Sequence, residues 1–173
     1  LGTAIAYPQA KYLHKIGAHT DVIMGFKNKD IVILEDELKE ASDNLYITTD
    51  DGSYGKQGFV TEVLKENIEN GKKYDLVLAI GPMIMMKNTA LVTKEYDIPT
   101  IVSLNSIMVD GTGMCGCCRI TVGGEMKFAC VDGPDFDAFE VDFDEAMNRG
   151  RNYQQEEREH ICRLTGDMRN GKI

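Results

Sequence analysis

The chain has 173 residues and a mass of 19.3 kDa, with 43% hydrophobic and 27% charged residues. That suits one globular domain or a domain with a small appendage, and argues against disorder, collagen-like repeats and disulfide miniproteins. The 28 acidic residues outnumber 19 basic ones, giving a formal charge of −9, so no chain-wide positive field exists to attract nucleic acid or anionic lipid. The longest apolar runs, 76–80 and 98–104, fall far short of the roughly 20 residues of a membrane-spanning helix.

Residues 7–16 pattern as a helix closed by Gly17, and 20–24 as a strand closed by Gly25. A helix with interspersed acidic residues follows at 31–40. A strand at 44–48 then runs into the turn Asp50-Asp51-Gly52-Ser53-Tyr54-Gly55. The next helix opens at Gly58 or Thr61 and stops at Asn70-Gly71. Residues 75–80 form a nearly continuous apolar strand, the pattern of a strand covered on both faces. Gly81 and Pro82 begin another helix, and 98–104 is the last strand of the series. This alternation predicts an α/β fold with a doubly wound parallel sheet and right-handed crossovers over residues 1–104. Such a domain normally opens with a strand leading into a glycine-rich turn. This sequence opens on Leu1-Gly2-Thr3-Ala4, so the expectation is a fragment whose first strand is missing.

Residues 105–173 have a different character. Segment 105–118 is rich in Gly, Met and Cys, and two short apolar runs at 119–122 and 125–129 flank Gly123-Gly124, a hairpin signal. Residues 131–143 are acidic and aromatic. A charged helix is expected from 143 to about 164, before Thr165-Gly166, lying on the surface or along another subunit.

Four of the five cysteines, Cys115, Cys117, Cys118 and Cys130, fall within sixteen residues, while Cys162 stands apart. Such crowding, in a sequence showing no export signal, reads as metal chemistry in a reducing compartment, the cytoplasm by default. Asp110-x4-Cys115-x2-Cys118 followed by Cys130 reproduces the plant-type 2Fe-2S spacing with aspartate in the first position. A carboxylate is anionic and can ligate iron, but it is a harder donor than thiolate and would shift the cluster's potential. Structural zinc on the same thiols and simple buried thiols are the alternatives. Cys117, between two ligands, is expected to point away from the metal, and Cys162 to be a small buried apolar residue.

Gly81, Pro82 and Met85 lie where an apolar strand meets a helix, the place where open parallel sheets bind ligands. The bland reading is that Met83, Met85 and Met86 fill core gaps. Gly2 and Thr3 occupy the equivalent place at the first helix. Asp50 and Asp51 are either a surface turn or receivers of ribose hydroxyls, which would favour NAD over NADP. His14, His19 and His160 have no nucleophile partner at meaningful spacing, and no Ser/His/Asp set, P-loop or HExxH is present.

Taken together, Gly2-Thr3-Ala4 with Tyr7-Pro8, the 48–55 run, Gly81-Pro82 with Met85-Met86, the 103–118 segment and Phe128-Ala129-Cys130-Val131-Asp132-Gly133-Pro134 resemble the electron transfer subunits of the dihydroorotate dehydrogenase B type. With aspartate at position 110, the sequence is most similar to the branch containing the small subunit of NADH-dependent reduced ferredoxin:NADP oxidoreductase, also described as a sulfide dehydrogenase subunit. The resemblance implies a ferredoxin-reductase-like arrangement. An N-terminal barrel, absent from this sequence, holds FAD; the α/β domain (1–104) binds NAD(H) or NADP(H); and the C-terminal module (105–173) holds a 2Fe-2S cluster. It further implies that Gly2, Thr3, Asp50, Asp51, Gly81, Pro82 and Met85 shape the dinucleotide site and that Asp110, Cys115, Cys118 and Cys130 ligate iron. No side chain would act as acid or base. The chain would relay electrons between NAD(P)H, FAD and the cluster, to or from a catalytic flavoprotein or iron–sulfur subunit, and the fragment alone would be inactive. The competing classes are a zinc-stabilised, non-enzymatic α/β nucleotide-binding domain and a nucleotide-sensing module with packed thiols.

Overall fold

The computed structural model describes residues 2–151 together with 156, 159 and 160. Leu1, Cys162, Thr165-Gly166 and residues 152–155, 157–158 and 161–164 of the terminal helix expected to reach 164 lie outside the described residues.

Helix α1 (Gly2–Lys15) begins ahead of its sequence-based start and carries Pro8 inside it. It stops where Gly17 takes φ +87 and its N–H bonds the His14 carbonyl at 3.0 Å, a left-handed stop that glycine adopts without strain. Strands β1 (Asp21–Phe26) and β2 (Asn44–Thr49) pair in parallel, from Asp21 opposite Asn44 to Phe26 opposite Thr49. The single helix expected at 31–40 is instead a 3-10 turn (Lys29–Ile31) and a short α2 (Glu35–Glu40). The reason is local: the Asn28 side chain accepts from the Asp30 N–H, and Leu34 sits at φ 58, ψ 30, which breaks helical continuity. Two-residue β3 (Lys56–Gln57) adds to β2 in parallel.

Helix α3 (Val60–Glu69) turns Val63 and Leu64 inward, and the Glu62 carboxylate accepts the Phe59 N–H at 3.0 Å, satisfying a donor at the helix entrance. Strand β4 (Val77–Ile80), helix α4 (Met83–Glu95) and strand β5 (Thr100–Ser103) form a crossover unit with parallel strands, Val77 opposite Thr100 and Ile80 opposite Ser103. A hairpin of β6 (Arg119–Val122) and β7 (Glu125–Phe128) follows, turning through Gly123 (φ 60) and Gly124 (φ 79). Positive φ at both central residues is what a tight right-twisted hairpin requires. Strand β8 (Asp135–Asp137), for which the sequence held no clear signal, returns antiparallel to β5. Helix α5 (Phe143–Arg149), capped by the Asp142 side chain on the Glu145 N–H, forms the first turns of the expected terminal helix, and residues 156, 159 and 160 within it are also helical.

The fold is therefore mixed α/β. Its strands form two three-stranded sheets, β1-β2-β3 and β4-β5-β8, and the two-stranded β6-β7 hairpin, and no ladder joins the two larger sheets among the described residues. Strand β4 is paired on one side only, and its Leu78 is 37% exposed, which departs from the two-face coverage expected of it.

Two buried clusters underlie these sheets. Met24, Leu38 and Ala10 pack with Val22, Phe26 and Ile47 beneath β1-β2. The larger cluster joins Ala79, Met86 and Val102 of the crossover unit to Ile120 and Val122 of the hairpin and Phe143 and Ala146 of α5. Residues on both sides of position 104 thus share one interior, so the hairpin module is anchored on the β4-β5 sheet. At the N-terminal end of β1, the Asp21 carboxylate, 3% exposed, receives Lys72 Nζ at 2.6 Å, Tyr74 OH at 2.8 Å and Asn44 Nδ2 at 2.7 Å. Burial alone would raise the Asp21 carboxyl, but these bonds outweigh it and hold it below its ordinary 3.8. His19 lies within 3.3 Å of Asp21 and of Asp43, and His14 lies 3.6 Å from Asp43.

Candidate functional site

The hairpin makes the first half of the thiol site. Arg119 pairs with Phe128 in its register, so Cys118, one residue before β6, and Cys130, two beyond β7, emerge side by side. Their Sγ atoms are 3.2 Å apart, and the Ala129 N–H bonds the Cys118 carbonyl at 3.1 Å. Cys118 is buried and Cys130 half-buried. The Cys118 contact pushes the Cys130 thiol up from its ordinary value.

The second half is the loop ahead of β6. Gly111, Gly113 and Gly116 all take positive φ (74, 82 and 67), which folds the chain tightly around Asp110. One carboxylate oxygen of Asp110 accepts the Thr112 N–H at 2.8 Å and the other the Cys115 N–H at 3.0 Å. The Thr112 bond leads in holding this carboxyl below its ordinary value. Cys115 is exposed, and the Cys117 N–H directed at its sulfur lowers its thiol. Loop and hairpin meet at Gly113: a Cβ built there would lie 2.9 Å from Val131 Cγ2, so only glycine lets the loop come this close to Val131.

Asp110, Cys115, Cys118 and Cys130 thus lie on two abutting segments, with Cys118 and Cys130 in sulfur contact. Among the described residues no set of three or more His, Cys, Asp or Glu is closed into ligating geometry. The donor chemistry nevertheless fits an iron–sulfur cluster, which thiolates and one carboxylate can hold. Cys117 is half-buried between Cys115 and Cys118.

The dinucleotide candidates separate into two groups. The start of α1 packs against the end of β4: a Cβ on Gly2 would fall 2.4 Å from the Ile80 carbonyl oxygen and 3.1 Å from Gly81 Cα. Met85 folds back over Gly81, its Cε 3.0 Å from a Cβ built there. Gly2, Gly81 and Met85 are therefore brought together, with Thr3 and Pro82 as their chain neighbours, whereas Met86 is fully buried in the core. Asp50 and Asp51 lie in the turn beyond β2, at the carboxyl ends of β1 and β2. The Asp51 carboxylate accepts the Ser53 hydroxyl at 2.6 Å and its N–H at 2.9 Å, bonds that lower its carboxyl.

Sequence reasoning missed a clamp on the thiol loop. Arg149 Nη2 donates to the Gly116 and Cys117 carbonyls at 3.4 and 3.3 Å, and one turn earlier the Glu145 carboxylate accepts the Thr121 N–H at 3.0 Å. Both lie on one face of α5, while the adjacent Asp144 holds Lys87 of α4 at 2.7 Å. The charged pattern of this helix was legible, but its docking on the loop was not.

Residues 105–142 match the iron–sulfur cluster binding domain of dihydroorotate dehydrogenase B. The chain is 48% identical over 158 residues to the electron transfer subunit homolog of dihydroorotate dehydrogenase B (NAD(+)) from Thermotoga maritima, covering 91% of this chain and 55% of the relative. The chain is homologous to the dihydroorotate dehydrogenase B electron transfer subunits. It is also 59% identical over 158 residues to an uncharacterized protein in the adh 3′ region of Clostridium beijerinckii, covering 91% of this chain and 53% of that one. Among solved structures it superimposes with a TM-score of 0.84 and 46% identity on a chain of the NADH-dependent reduced ferredoxin-NADP oxidoreductase, studied for flavin-based electron bifurcation. That match covers 95% of this chain and 59% of the other. The chain spans about half the length of the curated relatives it matches. No described helix is long and apolar enough to cross a membrane.

Proposed function

We propose that this chain is the dinucleotide-binding and 2Fe-2S-binding part of the electron transfer subunit of a flavin and iron–sulfur oxidoreductase, acting with a catalytic partner subunit in the cytoplasm. The observation that carries the reading is the meeting of Cys118 and Cys130, 3.2 Å apart, beside the glycine-folded loop of Asp110 and Cys115. Residues 1–104 would form the NAD(P)-binding domain of a doubly wound sheet, with a further strand between β1 and β4. Residues 105–173 would form the cluster module, seated on the shared core. Asp110, Cys115, Cys118 and Cys130 would hold the cluster. A bound cluster would supply one-electron redox chemistry, and FAD, held mainly by a neighbouring domain, would supply the link between the two-electron chemistry of NAD(H) or NADP(H) and that single-electron carrier.

The protein's own groups bind and position. Gly2 and Gly81 let α1 and Met85 close in at the carboxyl end of β4, and with Thr3 and Pro82 they would shape the wall that a dinucleotide approaches. Asp50 or Asp51 would receive ribose hydroxyls and repel a 2′-phosphate, favouring NAD. The Gly113–Val131 contact and the Arg149 clamp hold the ligand loop against the hairpin. No side chain has to move a proton.

The test is anaerobic titration with NADH of the complete flavin-containing protein that includes this chain. The expected result is the paramagnetic resonance of a reduced 2Fe-2S cluster, lost in Cys118→Ser. Flavin reduction with no such resonance in a protein containing two irons per chain would overturn the relay.

A further inference from the structure

All three arginines among the described residues line one cavity. Arg119 stands at the start of β6, Arg149 ends α5 and Arg151 follows it. The cavity has a volume of about 370 Å³ and lies between the first turn of α4, the segment after β5 and the thiol loop. Met83 and Ile84 of its wall follow directly on the Gly81-Pro82 turn, while Gly2 and Gly81 are not among its lining residues. Among the described residues no acidic side chain lines it, and none of the three arginines forms an ion pair. In a chain of net charge −9, three guanidiniums on one concave surface are a local reversal of sign.

Lysines, by contrast, are spread over the surface, and several pair with carboxylates. Guanidinium presents a planar fork of donors that matches phosphate oxygens in pairs and is weakly hydrated, so it suits a partly enclosed anion site better than an ammonium does. Asn105 and Ser106 add polar groups to the wall, and Met83 and Met147 add apolar surface. The volume falls within the range of small-molecule sites, roughly 300–1,000 Å³. We propose that this cavity is a binding site for a phosphate-bearing small molecule, held through its phosphate by Arg119, Arg149 and Arg151. Because Arg149 also grips the Gly116 and Cys117 carbonyls, an anion placed there would lie against the thiol loop.

The experiment is calorimetric titration of inorganic pyrophosphate, and separately ADP, into the purified protein saturated with NADH, at matched ionic strength with sodium chloride as control. Saturable binding is expected, weakened by about tenfold for each guanidinium removed in Arg119→Gln and Arg151→Gln. Tighter binding of ADP than of pyrophosphate would mark a nucleotide as the source of the phosphate, and equal or weaker binding a smaller phosphate. If Arg119→Gln melts early, Arg151→Gln alone, at an exposed position past the end of α5, carries the comparison. Either of two results would overturn the proposal: no saturable binding, or binding that NADH abolishes and both substitutions leave unchanged. So would binding of a glutamate-rich peptide, lost in the same variants, with no response to pyrophosphate, since the cavity would then receive an acidic partner segment.

Discussion

Gly113 is where the thiol loop and the hairpin either meet or fail to. Alanine at this position has two costs. The first is conformational: φ is +82, in the left-handed region that costs an L-residue about 1–2 kcal/mol. The second is steric, because the new methyl would lie 2.9 Å from Val131 Cγ2. Gly111 separates the two, since its φ is +74 but nothing lies within 4 Å of a Cβ built there. Gly111→Ala should therefore show the conformational cost alone, a shift of roughly 5- to 30-fold in loop population, and Gly113→Ala should exceed it. The assay is the rate at which a chelator strips iron from anaerobically purified protein. Stripping should quicken within that range for Gly111→Ala and further for Gly113→Ala. Adding Val131→Ala to Gly113→Ala should bring the rate back to the Gly111→Ala level. Equal rates for the two single variants, or no rescue by Val131→Ala, would show that the loop is not held against Val131 as described.

Removing the cation from the Asp21 network leaves a buried carboxylate short of a partner, so Lys72→Met should cost about 3 kcal/mol in urea unfolding at neutral pH; a loss under 1 kcal/mol would contradict the network. The same carboxyl is held below its ordinary 3.8, so the stability it contributes is fully present above about pH 4 and declines as pH falls through its lower folded value. That acid-side loss, followed by unfolding at stepped pH, should shrink in Asp21→Asn. Asp110→Cys should keep the iron and change its reduction potential, because a softer thiolate replaces a carboxylate; an unaltered potential would remove Asp110 from the ligands. Gly2→Ala, whose methyl would meet the Ile80 carbonyl oxygen at 2.4 Å, should weaken NADH binding at least about tenfold in a fluorescence titration, a difference of 1.4 kcal/mol. Unchanged affinity would move the nucleotide away from the start of α1.

Much of the layout was legible because it is written in short-range chemistry. Gly17 and Gly71 end helices as left-handed residues, and Gly123-Gly124 announces the hairpin at its true position. The cysteine spacing groups Cys118 with Cys130, and the hairpin register brings their sulfurs to 3.2 Å. What was not legible depended on distant partners. Strand β8 exists because β5 offers an edge, and three residues in an acidic, aromatic stretch carry little period-two signal of their own. The helix expected at 31–40 was spoiled by one left-handed leucine, which no residue-type preference foretells. The role of Arg149 depends on α5 packing across the thiol loop, a tertiary fact. Residues 1–104 and 105–173 looked like separate modules by composition, yet Ala79, Ile120 and Phe143 share one interior, because a two-stranded hairpin cannot bury its own apolar face.

The central claim is that the thiols of the hairpin and its glycine-folded loop hold a pair of irons. Counting iron and acid-labile sulfide in anaerobically purified protein, with the visible spectrum recorded on the same sample, tests it most directly. The account predicts a brown protein with about two irons and two sulfides per chain, at the stoichiometry of a 2Fe-2S centre, both lost in Cys130→Ser. A colourless protein carrying one zinc, or none, that stays colourless after iron and sulfide are offered would contradict it.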